Sequence, residues 1–243
     1  IVRRLVGSEM CIRDRSITGN GSIFFSILTR RKLMKLKLIY PDLPFWRAET
    51  SRIALFLGDV EFEDFRPSRD QIKQMKTDGT FPFGQFPVLE VDGKKVAQTS
   101  GIARFCGKLA GLYPKDDDFA AAKVDEVLDL ATDITMKMQP ALREPDPEQR
   151  KLKRKELSRE ILPRWLGFLE NLLEENGNTG FFVGDSLTVA DLAAWRLCGW
   201  IRGGIIDGIP QTQLDAHPQL LEHHLRIGGI PKIDEWMKKH YAS

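Results

Sequence analysis

"FPFGQFPVLEVDGKKVAQTSGIARF", residues 81–105, is the stretch on which the fold turns. Pro82 and Pro87 bracket Gly84-Gln85, directly ahead of the alternating run Val88-Leu89-Glu90-Val91. A proline cannot donate to a sheet ladder, so one that opens a strand must be tolerated or useful there. Asp92-Gly93 then separates two β-compatible runs, the pattern of a tight hairpin. After Gln98-Thr99, "SGIARFCGKLAG" has the spacing of a helix that ends near Gly111.

Upstream, "KLKLIY" (35–40) alternates and reads as a first strand. "PDLP" is a loop, and "RAETSRIALFLG" (47–58) has a helical apolar pattern closed by Gly58. "VEFEDFRP" (60–67) alternates again, and the polar residues 68–80 form a helix or a long loop. The resulting order, β-α-β-(α)-β-β-α, suits a small mixed sheet covered by helices. Downstream, after a short linker at 113–118, only helical patterns follow. The first spans 119–139 and is expected to stop at Pro140. The second spans 148–176, with a kink at Pro163. Helices are also expected in "GDSLTVADLAAWRL", "HPQLLEHHLRIGG" and "PKIDEWMKKHY". In the first of these, Thr188 to Asp191 forms a capping box and Leu187 with Leu192 a hydrophobic staple.

The bulk properties narrow the class. The 243 residues allow one large domain or two modest ones, and the charged fraction of 29% is ordinary for a globular protein. No apolar run has the length of a membrane helix. Cys11, Cys106 and Cys198 are odd in number and far apart, which suggests neither a disulfide framework nor a zinc site. A reducing cytosol is the matching compartment.

Residues 1–33 need separate treatment. "LVGSEMCIRDR" (5–15) resembles translated sequencing adapter, and "MKLKLIY" opens like a new start at Met34. A targeting peptide is the alternative, but the apolar run "SIFFSIL" is short and no convincing cleavage site follows. Residues 1–33 are therefore expected to be a non-native or disordered leader. They carry seven basic and two acidic residues, leaving 29 basic against 32 acidic in 34–243. That balance points to no nucleic-acid partner.

From Met34 to Ser243 the chain resembles a cytosolic glutathione S-transferase, most like the sigma class that includes haematopoietic prostaglandin D synthases. "WRAE", "FPFGQFPVLEVDG", "QTSGIARF" and "GDSLTVADL" carry the resemblance as ordered motifs. It implies an α/β plus all-α architecture: a thioredoxin-like glutathione-binding domain at 34–113 and an all-helical domain at 119–243. It also implies glutathione as co-substrate, no metal, an apolar electrophile as second substrate and a homodimer in the cytoplasm.

The resemblance assigns roles residue by residue. Tyr40 would donate its hydroxyl to the glutathione sulfur and favour the thiolate. Arg47 would support that tyrosine. Pro87 is expected to be cis, presenting the backbone of Phe86 to the cysteinyl unit of the tripeptide as an added strand would. Gln85 lies in the same motif. Gln98 and Thr99 would hold the γ-glutamyl carboxylate at a helix start, a place that also suits plain capping. Lys76, with Lys73 as the alternative, would meet the glycyl carboxylate. Asp133 would reach the glutathione amine of the partner subunit. Two departures from the family pattern stand out: Trp46 where glycine is usual, and Ile72 where tryptophan is usual.

Other patterns read as structural. Asp125 and Asp129, on one helix face with Asp133, are read as solvated, as is the basic run "RKLKRKELSR" (150–159). His217, His223 and His224 lack ligand spacing for a metal. The expected activity is addition of the glutathione thiolate to an electrophilic small molecule, bound against the helices at 119–139 and 148–176. The alternatives are a non-catalytic member of the fold and a glutathione-dependent prostaglandin isomerase. A thioredoxin-type redox enzyme would need a reactive cysteine in the first loop, and none is there.

Overall fold

The computed structural model describes residues 34–241, so the expected leader at 1–33 lies outside the described residues. The first part runs β1 (Leu36–Ile39), α1 (Trp46–Leu57), β2 (Glu63–Phe65), α2 (Arg69–Met75), β3 (Val88–Val91), β4 (Lys94–Ala97) and α3 (Thr99–Ala110). β1 pairs in parallel with β2 and antiparallel with β3, giving the strand order β2-β1-β3-β4. This is the expected thioredoxin-like arrangement, a βαβ unit joined to a hairpin and a helix. Asp92 and Gly93 both take positive φ, 49° and 80°, as the mirror-image hairpin turn requires. Residues 68–80, left open between helix and loop, include α2, which Ser68 and Gln71 cap reciprocally.

Side chains alternate across the strands. Leu36 and Leu38 pack with Leu55, Ile102 and Cys106, from α1 and α3. Ile39 faces the other way, toward Phe81, Val88 and the α2 residues Ile72 and Met75. Ile72 thus fills a small core in the place the resemblance reserves for tryptophan.

Helices follow: α4 (Asp118–Leu142), α5 (Pro147–Glu156), a π-helical turn at Leu157–Ile161, α6 (Leu162–Glu175), α7 (Val189–Ile201), α8 (Pro218–Gly228) and α9 (Pro231–Tyr241). One helix end needs correction. α4 does not stop at Pro140. Met138 and Ala141 are buried on either side of it, and Arg143 N–H still donates to the Gln139 carbonyl at 2.9 Å, so packing outweighs one lost bond near the helix end. The segment 148–176 is helical through Glu175, as expected, and the irregularity expected at Pro163 takes the form of the π-helical turn at Leu157–Ile161. Pro163 cannot donate and its ring crowds the carbonyl four residues back, and the wide turn before α6 accommodates both.

The later helices share a core with α1 and α3, not with the strands. Trp46, Ile53, Ala54 and Ala103 join Val127, Leu128, Ala194 and Leu197 in a single buried cluster. The α7 capping box forms as expected, but Asp191 does more than cap. Its carboxylate accepts from Thr188 N–H at 2.8 Å, Thr188 Oγ1 at 2.9 Å and Phe182 N–H at 2.8 Å, and it meets His223 Nε2 at 3.0 Å. Thr188→Ala should cost about 1 kcal/mol. Asp191→Ala leaves several buried donors without an acceptor and should cost about 3 kcal/mol. Urea unfolding midpoints of the two variants will check the order.

Candidate active site

Tyr40 follows β1 directly, and its N–H donates to the Phe65 carbonyl at 3.1 Å, which extends the β1–β2 pairing by one residue. Its side chain is 3% exposed, with the ring edge-on to Phe86 at 5.2 Å. Burial pushes the Tyr40 pKa far above the ordinary phenol value; the charges of Arg47 and Arg52 oppose this without cancelling it. The hydroxyl therefore stays protonated and acts as a donor.

Arg52 is fully buried and fixes the chain around Tyr40. Nη2 donates to the Tyr40 carbonyl at 3.1 Å, Nη1 to Glu49 at 2.9 Å and Nε to Asp64 at 2.8 Å. Glu49 in turn accepts from Trp236 Nε1 at 3.0 Å and Tyr241 O–H at 2.6 Å. One guanidinium thus joins β1, α1, β2 and, through Glu49, α9. Trp46 is also fully buried; its Nε1 donates to Thr135 Oγ1 at 2.9 Å and ties the start of α1 to α4.

Tyr40, Arg47, Lys76, Gln85, Phe86 and Gln98 come together around one cleft of about 610 Å³. Pro87 and Thr99 line an adjoining crevice that shares Arg47, Gln85, Phe86 and Gln98 with it. The Phe86–Pro87 bond is cis. Gln98 stands at φ +75°, ψ 126°, outside the regions open to most side chains and directly before α3. Lys73 is turned away and pairs with Asp70 at 2.9 Å. Asp133 does not join the cleft; it is exposed and lines a separate hollow between α4, α5 and the turn after it.

The opposite wall was missed by sequence reasoning. Thr132, Thr135, Met136, Gln139 and Arg143 of α4 and its C-terminal cap complete the cleft. Their spacing is that of one helix face, a signal that was available. Among the described residues the cleft walls include the cations Arg47, Lys76 and Arg143 and no acidic residue. Burial and the nearby Arg143 push the Arg47 pKa down. A guanidinium remains charged regardless.

On its other side Tyr40 borders a second cleft of about 450 Å³, walled by Leu43, Pro44, Phe45, Gly199, Trp200, Gly203, Ile205 and one charged residue, Arg196. Phe45 and Trp200 meet edge-on at 4.7 Å. The hollow between α4 and α5, about 520 Å³, lies where the electrophile was expected, but Tyr40 is not among its walls. Met136 borders both that hollow and the cation-lined cleft.

The remaining candidates have structural partners. Asp125 is half-buried, pairs with Arg104 at 2.9 Å and accepts from the Tyr113 hydroxyl at 3.0 Å, so it is not the solvated charge expected, whereas Asp129 is exposed as expected and accepts from Ser100 at 2.9 Å. These residues latch α3 and the connector to α4. In the basic run, Lys153 pairs with Glu144 and Arg154 with Asp207, while Lys151 and Lys155 face solvent. Cys106 and Cys198 are buried, and burial pushes both thiols up to about 12. Alkylation of either should be slow until the protein unfolds.

His217 meets Glu170 at 3.0 Å, and His224 Nδ1 donates to the Trp195 carbonyl at 3.2 Å. Burial first, then the Arg202 charge, lowers the His224 pKa to about 4. The unfolded chain takes up this proton below about pH 6.5 and the folded chain does not. Stability should therefore fall as pH drops from about 6.5 toward 4, by up to about 3 kcal/mol from this residue. The stability–pH curve of His224→Gln should be flatter over that window.

The chain is similar to proteins of known family. A model for the glutathione S-transferase N-terminal domain matches residues 36–107, and one for the C-terminal domain matches residues 132–240. Probable glutathione S-transferase 5 of Caenorhabditis elegans is 32% identical over 195 residues, covering 78% of this chain and 89% of its own. Glutathione S-transferase S1 of Drosophila melanogaster is 36% identical, covering 79% and 74%. Among solved structures, prostaglandin synthase D of Nilaparvata lugens superposes with a TM-score of 0.73 at 28% identity, over 84% of this chain and 98% of its own. A monomeric glutathione S-transferase of the hookworm Necator americanus gives 0.70 at 33%, over 84% and 97%. The chain belongs to the glutathione S-transferase family.

Proposed function

We propose that the cation-lined cleft binds glutathione and that Tyr40 holds its sulfur as the thiolate, which adds to an apolar electrophile seated in the cleft beyond. The observation that carries this reading is the gathering of Tyr40, Arg47, Lys76, Gln85, Phe86 and Gln98, distant in sequence, around one acid-free cavity. Glutathione bears two carboxylates, and the positive walls favour them. Lys76, rather than the paired Lys73, is the lysine for the glycyl carboxylate. Gln98 and Thr99, at the start of α3, suit the γ-glutamyl carboxylate, where backbone N–H groups and the helix dipole add to the side chains. Phe86, before Pro87, offers backbone groups to the cysteinyl unit.

The thiol of free glutathione, with a pKa near about 8.5, is mostly protonated at neutral pH. A buried O–H aimed at sulfur stabilises charge that develops there, and the positive Arg47 works in the same direction. The proton lost by sulfur goes to solvent, the thiolate forms a C–S bond to the electrophilic carbon, and from an aryl halide the halide leaves with the bonding electron pair. The apolar walls at Leu43, Phe45 and Trp200 suit the body of the second substrate.

Asp133 lies outside the cleft of its own chain, and we assign it to the site of a second subunit in a cytosolic homodimer. A monomeric mass by sedimentation would remove that role. Conjugation of glutathione to a neutral aryl halide tests the function itself. Turnover by the full chain is expected, and its absence in folded protein would favour a binding role without catalysis.

A further inference from the structure

Arg196 is out of place in the apolar cleft. Among the described residues it is the only charged one in the walls, set between Pro44, Phe45, Gly199 and Trp200. Its Nη2 donates to the Pro44 carbonyl, and its guanidinium lies 5.0 Å from the centre of the Trp195 ring. Its Nε is buried without a hydrogen-bond partner. Among the described residues no carboxylate comes within ion-pairing distance of it. Glu49 is the largest opposing charge, and its oxygens are committed to Arg52, Trp236 and Tyr241. Burial accordingly pulls the Arg196 pKa down.

A half-buried cation without an ion-pair partner costs free energy that its apolar neighbours cannot return. A planar guanidinium is also the side chain best matched to a carboxylate. We infer that the apolar cleft selects electrophiles that carry a carboxylate on an apolar body, and that Arg196 is the specificity residue that reads the carboxylate. The assignment rests on the transferase reading, because Tyr40 lies in the same wall and would present the thiolate to whatever the cleft holds. A volume of about 450 Å³ suits a medium-length chain or a ring with a short tail. No acidic residue in the cleft opposes the anion.

The test is calorimetric binding of a medium-chain saturated carboxylate and of the primary alcohol of the same length. Both are titrated into the full chain with glutathione saturating, so that the cation-lined cleft is filled. The carboxylate should bind about tenfold tighter than the alcohol to the wild type, and Arg196→Met should abolish that difference. Arg196→Lys, which keeps a charge without the planar fork, should retain part of it and covers the case in which the Met variant does not fold. Equal binding of both ligands to the wild type, or a preference that survives in Arg196→Met, would overturn the inference. Aryl halide conjugation is scored separately. Turnover without a carboxylate preference overturns only the role of Arg196. A preference without turnover keeps Arg196 as the carboxylate-reading residue but overturns the transferase reading, and with it the selection of electrophiles.

Discussion

Tyr40→Phe should lower kcat for conjugation by a factor on the order of 10²–10³, the usual effect of deleting one preorganised donor to a developing or stabilised anion. KM for glutathione should change little, because Arg47, Lys76, Gln98 and the backbone of Phe86 remain to bind it. The ring stays wedged against Phe86, so only the hydroxyl is lost. The defect should shrink as pH rises, since bulk hydroxide then ionises the thiol that Tyr40 no longer helps to ionise. Steady-state kinetics over a range of pH will separate this from a packing defect, which would lower activity equally at every pH. An unchanged kcat would mean that another group stabilises the sulfur.

Arg52→Ala should be the most destabilising single change near the site, at about 3–5 kcal/mol. The substitution removes a fully buried guanidinium and leaves the buried Glu49 carboxylate without its cation. It also frees the Tyr40 carbonyl and one oxygen of Asp64. Arg52→Lys should recover only part of the loss, because an ammonium cannot serve Glu49, Asp64 and the Tyr40 carbonyl along three fixed directions. Denaturant midpoints are the readout. A loss below about 1 kcal/mol in the alanine variant would show that the network contributes position and little energy.

Much of the fold was legible because its signals are local. The Asp92-Gly93 turn, the helix closed by Gly111 and the Thr188–Asp191 capping box each occupy a few adjacent residues, and each formed as expected. Legibility failed where packing overrides a local rule. Pro140 breaks helices in general, yet α4 continues past it because its buried neighbours hold the turn. Asp125 looked solvated because its partner, Arg104, belongs to another helix.

The candidate site divides along the same line. Positions inside ordered motifs, such as Tyr40, Arg47, Phe86 and Gln98, could be named from sequence, and the structure brings them to one cleft. Arg52 gave no warning. Its spacing from Glu49 is that of an ordinary surface helix pair, and nothing in the sequence says that α1 buries it. Arg196 was invisible too, because its significance lies in the absence of a counter-charge around it, which appears only once α7 meets the loop after β1.

The most direct test of the central claim is the pKa of the glutathione thiol when bound, followed by ultraviolet absorbance of the thiolate across pH in wild type and Tyr40→Phe. Stabilisation by Tyr40 predicts a bound thiol at least about one unit below the free value near about 8.5, returning toward that value in the variant. Equal values in the two proteins would contradict it.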